Sequence, residues 1–304
     1  MQKKIVRPPD LKPGDLIGIV APARKVSREE MAPAISMIKQ WGYGVVEGQH
    51  LYGENNQFSG TDQERSADMQ CMLDDDAVRA IFCARGGYGS VRIIDKIDFS
   101  GFRNHPKWIV GYSDITVFHS HIHTQLGIQT LHAPMPINFG NEFNMASGIE
   151  SLKNILSGQN PEYIIEPHPY NIAGEARGPV VGGNLSMLYS LIGSASDIDT
   201  DGKILFLEDL DEYLYHVDRM MMNLKRSGKL ERLAGMVIGG MNDMNDNTVP
   251  FGRNAYEIIR EIISDYNFPV IFGFKSGHIP ENLGLILGGH ARLKVDGECS
   301  LRFF

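Results

Sequence analysis

Ser113 is the residue of this chain whose type and position most directly suggest chemistry. It follows a short apolar run at residues 108–110 and a glycine, and a segment with helical apolar spacing begins just after it. We interpret this order as strand, sharp turn and helix, where free N–H groups and the helix dipole favour a developing negative charge. That is the geometry of a nucleophile elbow, although Ile115 stands where the G-x-S-x-G pattern has glycine. A Ser–Asp pair before a helix is also typical of an N-cap, so both interpretations stay open.

The glycine-rich segment ARGGYGS at residues 84–90 is a second candidate feature, because it follows another predicted strand. In an open α/β sheet, ligands bind outside the carboxyl ends of strands, and glycine lets backbone N–H groups approach them. The spacing matches neither a P-loop nor G-x-G-x-x-G. We therefore favour a turn that donates hydrogen bonds to an oxyanion over a phosphate site, with a plain tight turn as the alternative.

A serine nucleophile needs a base and a group that orients the base. The chain has ten histidines, so composition alone does not identify which of them is the base. His278 follows a predicted strand in a loop with Gly, Pro and Asn, where functional side chains are commonly carried. Glu208 ends an apolar strand, although spacing alone favours a cap or a solvated strand end. The order Ser, Glu, His is that of α/β-hydrolases, but such triads occur in any order.

The elements that must position these residues alternate along the first part of the chain. Apolar runs at residues 16–21 and 78–83 predict buried strands, and capping-box patterns at Ser27–Glu30 and Thr61–Glu64 predict helix starts. Such alternation predicts an α/β fold with a largely parallel sheet. A composition shift to Pro, Asn, Glu and Gly then suggests a domain crossing. We predict an N-terminal domain at residues 1–157, a linker at 158–177 and a C-terminal domain at 178–304.

Composition and charge exclude several classes of protein. A net charge of −8 and a pI near 5.7 argue against a nucleic-acid binder. No stretch of 18 apolar residues occurs, so we expect no membrane span, and residues 1–14 lack the apolar core of a secretory signal. The three cysteines stand far apart and are odd in number, which favours reduced packing residues in a cytoplasmic protein.

Histidines at 119, 121 and 123 suggest a metal site at first sight. On a helix only His119 and His123 share a face, and no glutamate gives the H-E-x-x-H spacing. We therefore expect a partly exposed helix face there and no bound metal. His132 follows a short predicted strand, and we expect it to line the same cleft as Ser113.

Four segments taken together resemble the LD-carboxypeptidase family, whose members are serine peptidases that cut the L-to-D amide bond near the end of murein peptides. The segments appear in family order across nearly the whole chain: ARGGYGS at 84–90, VGYSDIT at 110–116, LFLED at 205–209 with the YHVDRMMMNL that follows, and GHIPENLGLILGGHARL at 277–293. The resemblance implies an N-terminal α/β nucleophile domain and a C-terminal β-rich domain. It also implies an active site between them and a homodimer.

Carried over to this chain, the resemblance implies roles for five residues. Ser113 is the nucleophile, His278 the general base, and Glu208 the group that orients His278. The backbone N–H groups of Gly87 and Asp114 are the oxyanion donors. This chemistry requires no metal and no cofactor.

A carboxypeptidase must also recognise a free terminal carboxylate. Arg85 adjoins the glycine-rich segment and is a candidate for a bidentate contact, with a surface or scaffold arginine as the equally supported alternative. The expected substrate is a murein tetrapeptide that loses its terminal D-alanine in cell-wall recycling.

Two other functions stay open from the sequence. A microcin-immunity type peptidase would act on a peptidyl-nucleotide and would need aromatic stacking for the base, for which the chain has no dedicated insertion. A non-catalytic binding protein would explain the glycine-rich turns, but not a serine, an acid and a histidine at strand ends.

Overall fold

The capped helices predicted near the N-terminus are present in the computed structural model of the protein, which describes residues 5–140 and 145–304. Ser27 and Thr61 each accept a hydrogen bond from the backbone three residues on, and the glutamates at those positions bond back to the cap. Both helices therefore begin where the capping-box pattern places them.

Strands and helices alternate through most of the chain. The strands are β1 (Leu16–Val20), β2 (Gly44–Glu47), β3 (Val78–Cys83), β4 (Trp108–Gly111), β5 (Thr130–His132), β6 (Glu162–Ile165), β7 (Gly174–Asn184), β8 (Ile204–Leu210), β9 (Gly235–Asn242), β10 (Val270–Phe272), β11 (Leu285–Leu287), β12 (His290–Val295) and β13 (Cys299–Phe303). The helices are α1 (Arg28–Gln40), α2 (Asp62–Asp74), α3 (Ser100–Asn104), α4 (Thr116–Leu126), α5 (Ala146–Leu156), α6 (Leu185–Leu191), α7 (Leu214–Arg226) and α8 (Ala255–Ile262). In the described residues, no helix separates β6 from β7 or lies between β10 and β13.

The first sheet has six strands in the order β11-β5-β4-β3-β1-β2. Strands β1 to β5 pair in parallel, and their carboxyl ends therefore lie at one edge. Strand β11 comes from the C-terminal half of the chain and pairs antiparallel with β5. The predicted α/β fold with a mostly parallel sheet is confirmed, and the C-terminal half adds a strand to that sheet.

The second sheet has seven strands in the order β10-β9-β8-β7-β12-β13-β6. Strands β7 to β10 pair in parallel, whereas β12, β13 and β6 continue the sheet in antiparallel pairs. Residues 158–177, predicted as a linker, contain β6 and the first four residues of β7. The domain boundaries themselves stay a prediction.

Helix α4 lies at the contact between the two halves, where it packs against β5, β7 and α6. Thr116 Oγ1 accepts a hydrogen bond of 3.0 Å from the backbone N–H of Asn184, and Ser120 Oγ donates one of 2.6 Å to the Ser196 carbonyl. A Cβ on Gly183 would lie 2.5 Å from Thr116 Oγ1, so glycine allows this close approach. These contacts hold the turn before α4 against the second sheet.

The expectation of a partly exposed histidine face on α4 is wrong. His119 and His123 are buried, because this side of the helix lies between the two sheets. His119 Nε2 lies 2.8 Å from the Gly111 carbonyl oxygen, and His121 Nδ1 lies 2.9 Å from Ser196 Oγ. Within the part of the chain that the structure describes, no helix is long and apolar enough to cross a membrane.

Candidate active site

Ser113 occupies the sharp turn predicted between β4 and α4. Its φ is +63°, in the left-handed region that costs a non-glycine residue about 1–2 kcal/mol. Strain of this kind characterises a nucleophile elbow. The cap position of α4 is Ile115, and no side chain in the described part of the chain caps the helix there. The structure therefore favours the elbow over the N-cap interpretation of Ser113.

The glycine-rich turn after β3 lies directly against Ser113. A Cβ on Gly86 would be 3.0 Å from Ser113 Cβ, 3.1 Å from its Oγ and 3.4 Å from the Asp114 nitrogen. At Gly87, φ is +104° and a Cβ would lie 2.1 Å from Cδ of Arg24. Glycine at 86 therefore lets the turn pack against Ser113, and glycine at 87 leaves room for the Arg24 side chain.

The side chain of Asp114 holds this turn in place. Its Oδ2 accepts a hydrogen bond of 2.8 Å from the backbone N–H of Ser90, at the end of the glycine-rich segment. Burial raises the pKa of the Asp114 carboxyl, although its hydrogen bonds to Ser90 act in the opposite direction. Asp114 thus connects the elbow to the segment that carries Gly87.

Glu208 and His278 form a hydrogen-bonded pair, with 2.7 Å between Glu208 Oε2 and His278 Nδ1. The same oxygen accepts a bond of 3.3 Å from the backbone N–H of His278. Glu208 is completely buried near the end of β8, and the His278 side chain is 16% exposed. A proton on Nδ1, facing the carboxylate, leaves Nε2 as the basic nitrogen of the imidazole.

The electrostatics of the pair favour its charged forms. Burial alone would raise the pKa of Glu208, but the charge and hydrogen bond of His278 outweigh burial and lower that pKa. Burial likewise opposes protonation of His278, yet Glu208 raises the pKa of the imidazole above its ordinary value. Burial and then the charge of Glu208 raise the pKa of the adjacent Asp209 to about 7.

Ser113 and His278 line one cleft of about 520 Å³ between the two halves of the chain. Among residues 5–140 and 145–304, no hydrogen bond joins Ser113 Oγ to His278, and catalytic hydrogen bonds are often long before substrate binds. The Tyr112 ring lies 4.9 Å from the His278 ring. A larger cavity of about 960 Å³ adjoins His290 and contains none of the predicted site residues.

Basic and acidic side chains line different walls of the cleft, apart from the buried Asp114 beside Ser113. Arg24 and Arg85 line the wall formed by the N-terminal half, whereas Asp209, Asp211 and Glu212 line the other. The Arg85 side chain is 37% exposed and lies 3.8 Å from Glu30. In the described residues, no group of three or more His, Cys, Asp or Glu side chains is arranged to hold a metal ion.

Comparison with known proteins places the chain in a family. A model of the LD-carboxypeptidase N-terminal domain matches residues 17–133, and a model of the C-terminal domain matches residues 177–293. The chain belongs to the LD-carboxypeptidase family. It is therefore a serine-type carboxypeptidase, which is a hydrolase, and the resemblance noted in the sequence is confirmed.

Relatives of this LD-carboxypeptidase align over nearly its whole length. A probable murein peptide carboxypeptidase of Bacillus subtilis is 36% identical over 296 residues, which is 95% of this chain and 92% of that protein. The crystal structure of a muramoyltetrapeptide carboxypeptidase from Oxalobacter formigenes has a TM-score of 0.86 at 27% identity, covering 95% of this chain and 98% of the other. The microcin C7 self immunity protein MccF has a TM-score of 0.86 at 22% identity and covers 97% of each chain, so it shares the fold.

Sequence reasoning missed several charged or polar residues that line the cleft of this LD-carboxypeptidase, namely Arg24, Asn184, Asp209, Asp211 and Glu212. Each lies at or just beyond the carboxyl end of a strand that pairs in parallel, which is the signal that could have identified it. The expectation that His132 lines the cleft is wrong. His132 is completely buried, since its ring lies behind that of Tyr112 at 5.8 Å.

Proposed function

We propose that this LD-carboxypeptidase releases the terminal D-alanine of murein tetrapeptides through a triad of Ser113, His278 and Glu208. The observation that carries the proposal is the buried Glu208–His278 pair, which faces the same cleft as a serine in a left-handed turn. A base already bonded to its orienting acid, near a strained serine, is the arrangement that nucleophilic acyl transfer needs.

In the first half of the reaction, His278 Nε2 takes the proton from Ser113 as Oγ attacks the amide carbonyl. The oxyanion that forms accepts hydrogen bonds from the N–H groups of Gly87 and Asp114. One such donor contributes about 2.7–4 kcal/mol in a comparable site. Collapse of the intermediate breaks the amide bond, and the imidazolium donates its proton to the nitrogen of the leaving D-alanine.

In the second half, His278 takes a proton from water, whose oxygen attacks the acyl-enzyme ester. The ester bond breaks, the proton returns to Ser113 Oγ, and the shortened peptide leaves with a new carboxylate. Glu208 holds the tautomer with the proton on Nδ1 and stabilises the imidazolium in both halves.

The charges of the cleft walls support a peptide substrate with a free carboxylate at one end and a cation further along. Arg24 and Arg85 adjoin the glycine-rich turn and provide partners for the carboxylate of the terminal D-alanine. Asp211 and Glu212 on the opposite wall provide partners for an ammonium group. The third residue of a murein peptide, lysine or diaminopimelate, carries such a group.

The lining of the cleft favours murein peptide over a peptidyl-nucleotide. Tyr112 is the one aromatic residue, apart from His278, among the described residues that line it, and the residue is 5% exposed. A nucleobase would need an accessible ring for stacking. The homodimer, the cytoplasmic location and the role in cell-wall recycling stay predictions.

The proposal is tested by incubating the purified protein with murein tetrapeptide and measuring the products by mass spectrometry. We expect the loss of one D-alanine, with the tripeptide as the only other product. A tetrapeptide ending in L-alanine serves as the stereochemical control and should stay intact. Cleavage at another bond, or equal cleavage of both diastereomers, would refute the proposal, and a peptidyl-nucleotide assayed in parallel tests the alternative.

A further inference from the structure

Three buried polar atoms beside the proposed triad have no hydrogen-bond partner among residues 5–140 and 145–304. They are Oε1 of Glu208 and both ring nitrogens of His132. Both residues are completely buried. Buried polar atoms in folded proteins nearly always have a partner, in the protein or in an ordered water, because an unsatisfied one is costly.

His132 contacts two aromatic rings that adjoin the Glu208–His278 pair, those of Phe206 and Tyr112. On β5 it pairs with Gly111, two residues before Ser113. Its ring lies 5.0 Å from that of Phe206, which is two residues before Glu208 and therefore on the same face of β8. The Tyr112 ring contacts both His132 and His278, with ring distances of 5.8 Å and 4.9 Å.

The chemistry of the two residues is complementary. Burial lowers the pKa of His132 to about 3. The charge of Glu208 opposes this decrease in pKa, whereas the charges of His119 and His278 add to it. The imidazole is therefore neutral near pH 7 and has one N–H donor and one acceptor nitrogen. An ionised Glu208 can only accept hydrogen bonds. The Asn184 amide, which also bonds Asp209, lowers the pKa of Glu208 by hydrogen bonding, and the His132 N–H is a further donor of the kind that Oε1 needs.

We propose that His132 is a positioning residue for Glu208 and acts through one bridging water molecule. The water accepts a hydrogen bond from the His132 N–H and donates one to Glu208 Oε1. The inference rests on the triad proposed above. Such a bridge is nearly as favourable as a direct hydrogen bond. With Oε1 held from behind, the carboxylate keeps Oε2 directed at His278 Nδ1.

The bridge has a predictable effect on proton binding. A donor at Oε1 stabilises the carboxylate and adds positive potential near the pair, so it opposes protonation of His278. Removing the donor therefore favours the imidazolium and raises the pH at which His278 becomes a competent base. The groups facing His132, namely Glu208, His278, His119 and Tyr112, stay in place in such a variant. Asp209, whose charge also raises the pKa of His278, stays in place as well.

The test measures the rate at which a fluorophosphonate labels Ser113 between pH 5 and 9, in His132→Phe and His132→Gln. Phenylalanine keeps a ring without a donor, whereas glutamine keeps an N–H. We expect His132→Phe to shift the acid limb of the pH–rate profile to higher pH by about one unit, which corresponds to about a tenfold increase in the proton affinity of His278. The limb of His132→Gln should stay near that of the wild type. An unmoved limb in His132→Phe, or equal shifts in both variants, overturns the proposal, since a packing role would not distinguish them.

If His132→Phe does not fold, the proposal can be tested on the wild-type protein. In ¹⁵N-histidine spectra of the wild type we expect one exchange-protected ring proton on His132, with a resonance that shifts in Glu208→Gln. An unprotected ring, or a resonance unaffected by Glu208→Gln, overturns the inference. Labelling without cleavage of murein tetrapeptide would refute the proposed substrate alone, whereas an unlabelled wild type would refute the triad and this inference together.

Discussion

Gly277 lies so close to Glu208 that a Cβ added to the glycine would be 2.7 Å from both Cβ and Oε2 of the glutamate. Its φ of +106° also lies in the range that favours glycine. The next residue is His278, whose backbone N–H reaches the same carboxylate oxygen. A glycine at 277 is therefore what allows the loop after β10 to carry the imidazole onto the acid.

The first prediction concerns Gly277→Ala, with Gly193→Ala as its matched control. Gly193 has a φ of +83°, and apart from its chain neighbours no described residue has an atom within 4 Å of an added Cβ. Its variant therefore shares the backbone strain without the contact. Each should lose about 1 kcal/mol of unfolding free energy from the left-handed conformation. We expect kcat/KM to fall at least about tenfold in Gly277→Ala alone, because displacing the imidazole costs transition-state stabilisation. Equal activity in the two variants would contradict the assignment of this loop.

The second prediction uses the strain at Ser113. Ser113→Ala and Ser113→Gly should both lose turnover by about 10⁶-fold, as other serine enzymes do without the nucleophile. In Ser113→Gly the glycine relieves the backbone strain of φ +63°, which should raise the unfolding free energy by about 1–2 kcal/mol. The greater entropy of glycine in the unfolded chain should lower it by about 0.4–1 kcal/mol. Thermal unfolding should therefore show Ser113→Gly at least as stable as Ser113→Ala. A glycine variant less stable than the alanine variant would show that the turn is unstrained.

Much of the first sheet and its helices could be predicted from local pattern. The apolar run that forms β1 and the capping boxes before α1 and α2 are local signals, and each gave the correct element. Strand β11 could not be found in this way. It has three residues and pairs with β5, more than 140 residues earlier, so its identity depends on a tertiary contact that no local period encodes.

The candidate site shows the same difference between local signals and tertiary contacts. Ser113 and His278 follow strands in turns or loops, where sequence position alone suggested function. The burial of His132 and His119 was not predicted, because it depends on how α4 and β5 are covered by the second sheet. Arg24 was missed because its role comes from packing against Gly87, a residue 63 positions away.

The third prediction concerns the pH dependence of the Glu208–His278 pair. His278 must be neutral to act as a base, and its raised pKa places the acid limb of kcat/KM above about pH 6.5. In Glu208→Gln the charge that raises this pKa is lost while burial stays, so the limb should move to lower pH. The rate at pH 8 should fall by about 10⁴-fold, as for the corresponding change in a Ser-His-Asp enzyme.

The pair also makes stability depend on pH in opposite directions. The raised pKa of His278 contributes stability that is present below its unfolded pKa and is lost as pH rises through the folded value. The lowered pKa of Glu208 contributes stability that is present above its unfolded pKa and is lost as pH falls through the folded value. Glu208→Gln should therefore remove both dependences in denaturant titrations at pH 4 to 9. An acid limb that stays in place in Glu208→Gln would show that this carboxylate does not act on His278.

The fourth prediction tests how the substrate carboxylate is recognised. Arg85 lines the cleft beside Gly86, and its loss should raise KM for a free-acid tetrapeptide by about 10–100-fold, the cost of a charge-assisted hydrogen bond of about 1.5–3 kcal/mol. KM for the C-terminal amide of the same peptide should change little, so Arg85→Ala should lose the preference for the free acid. Arg253→Ala is the control, since Arg253 is also partly exposed and paired with a glutamate but does not line the cleft. If Arg85→Ala kept the preference of the wild type, the carboxylate would have to be bound elsewhere, and Arg24 on the same wall would be the next residue to change.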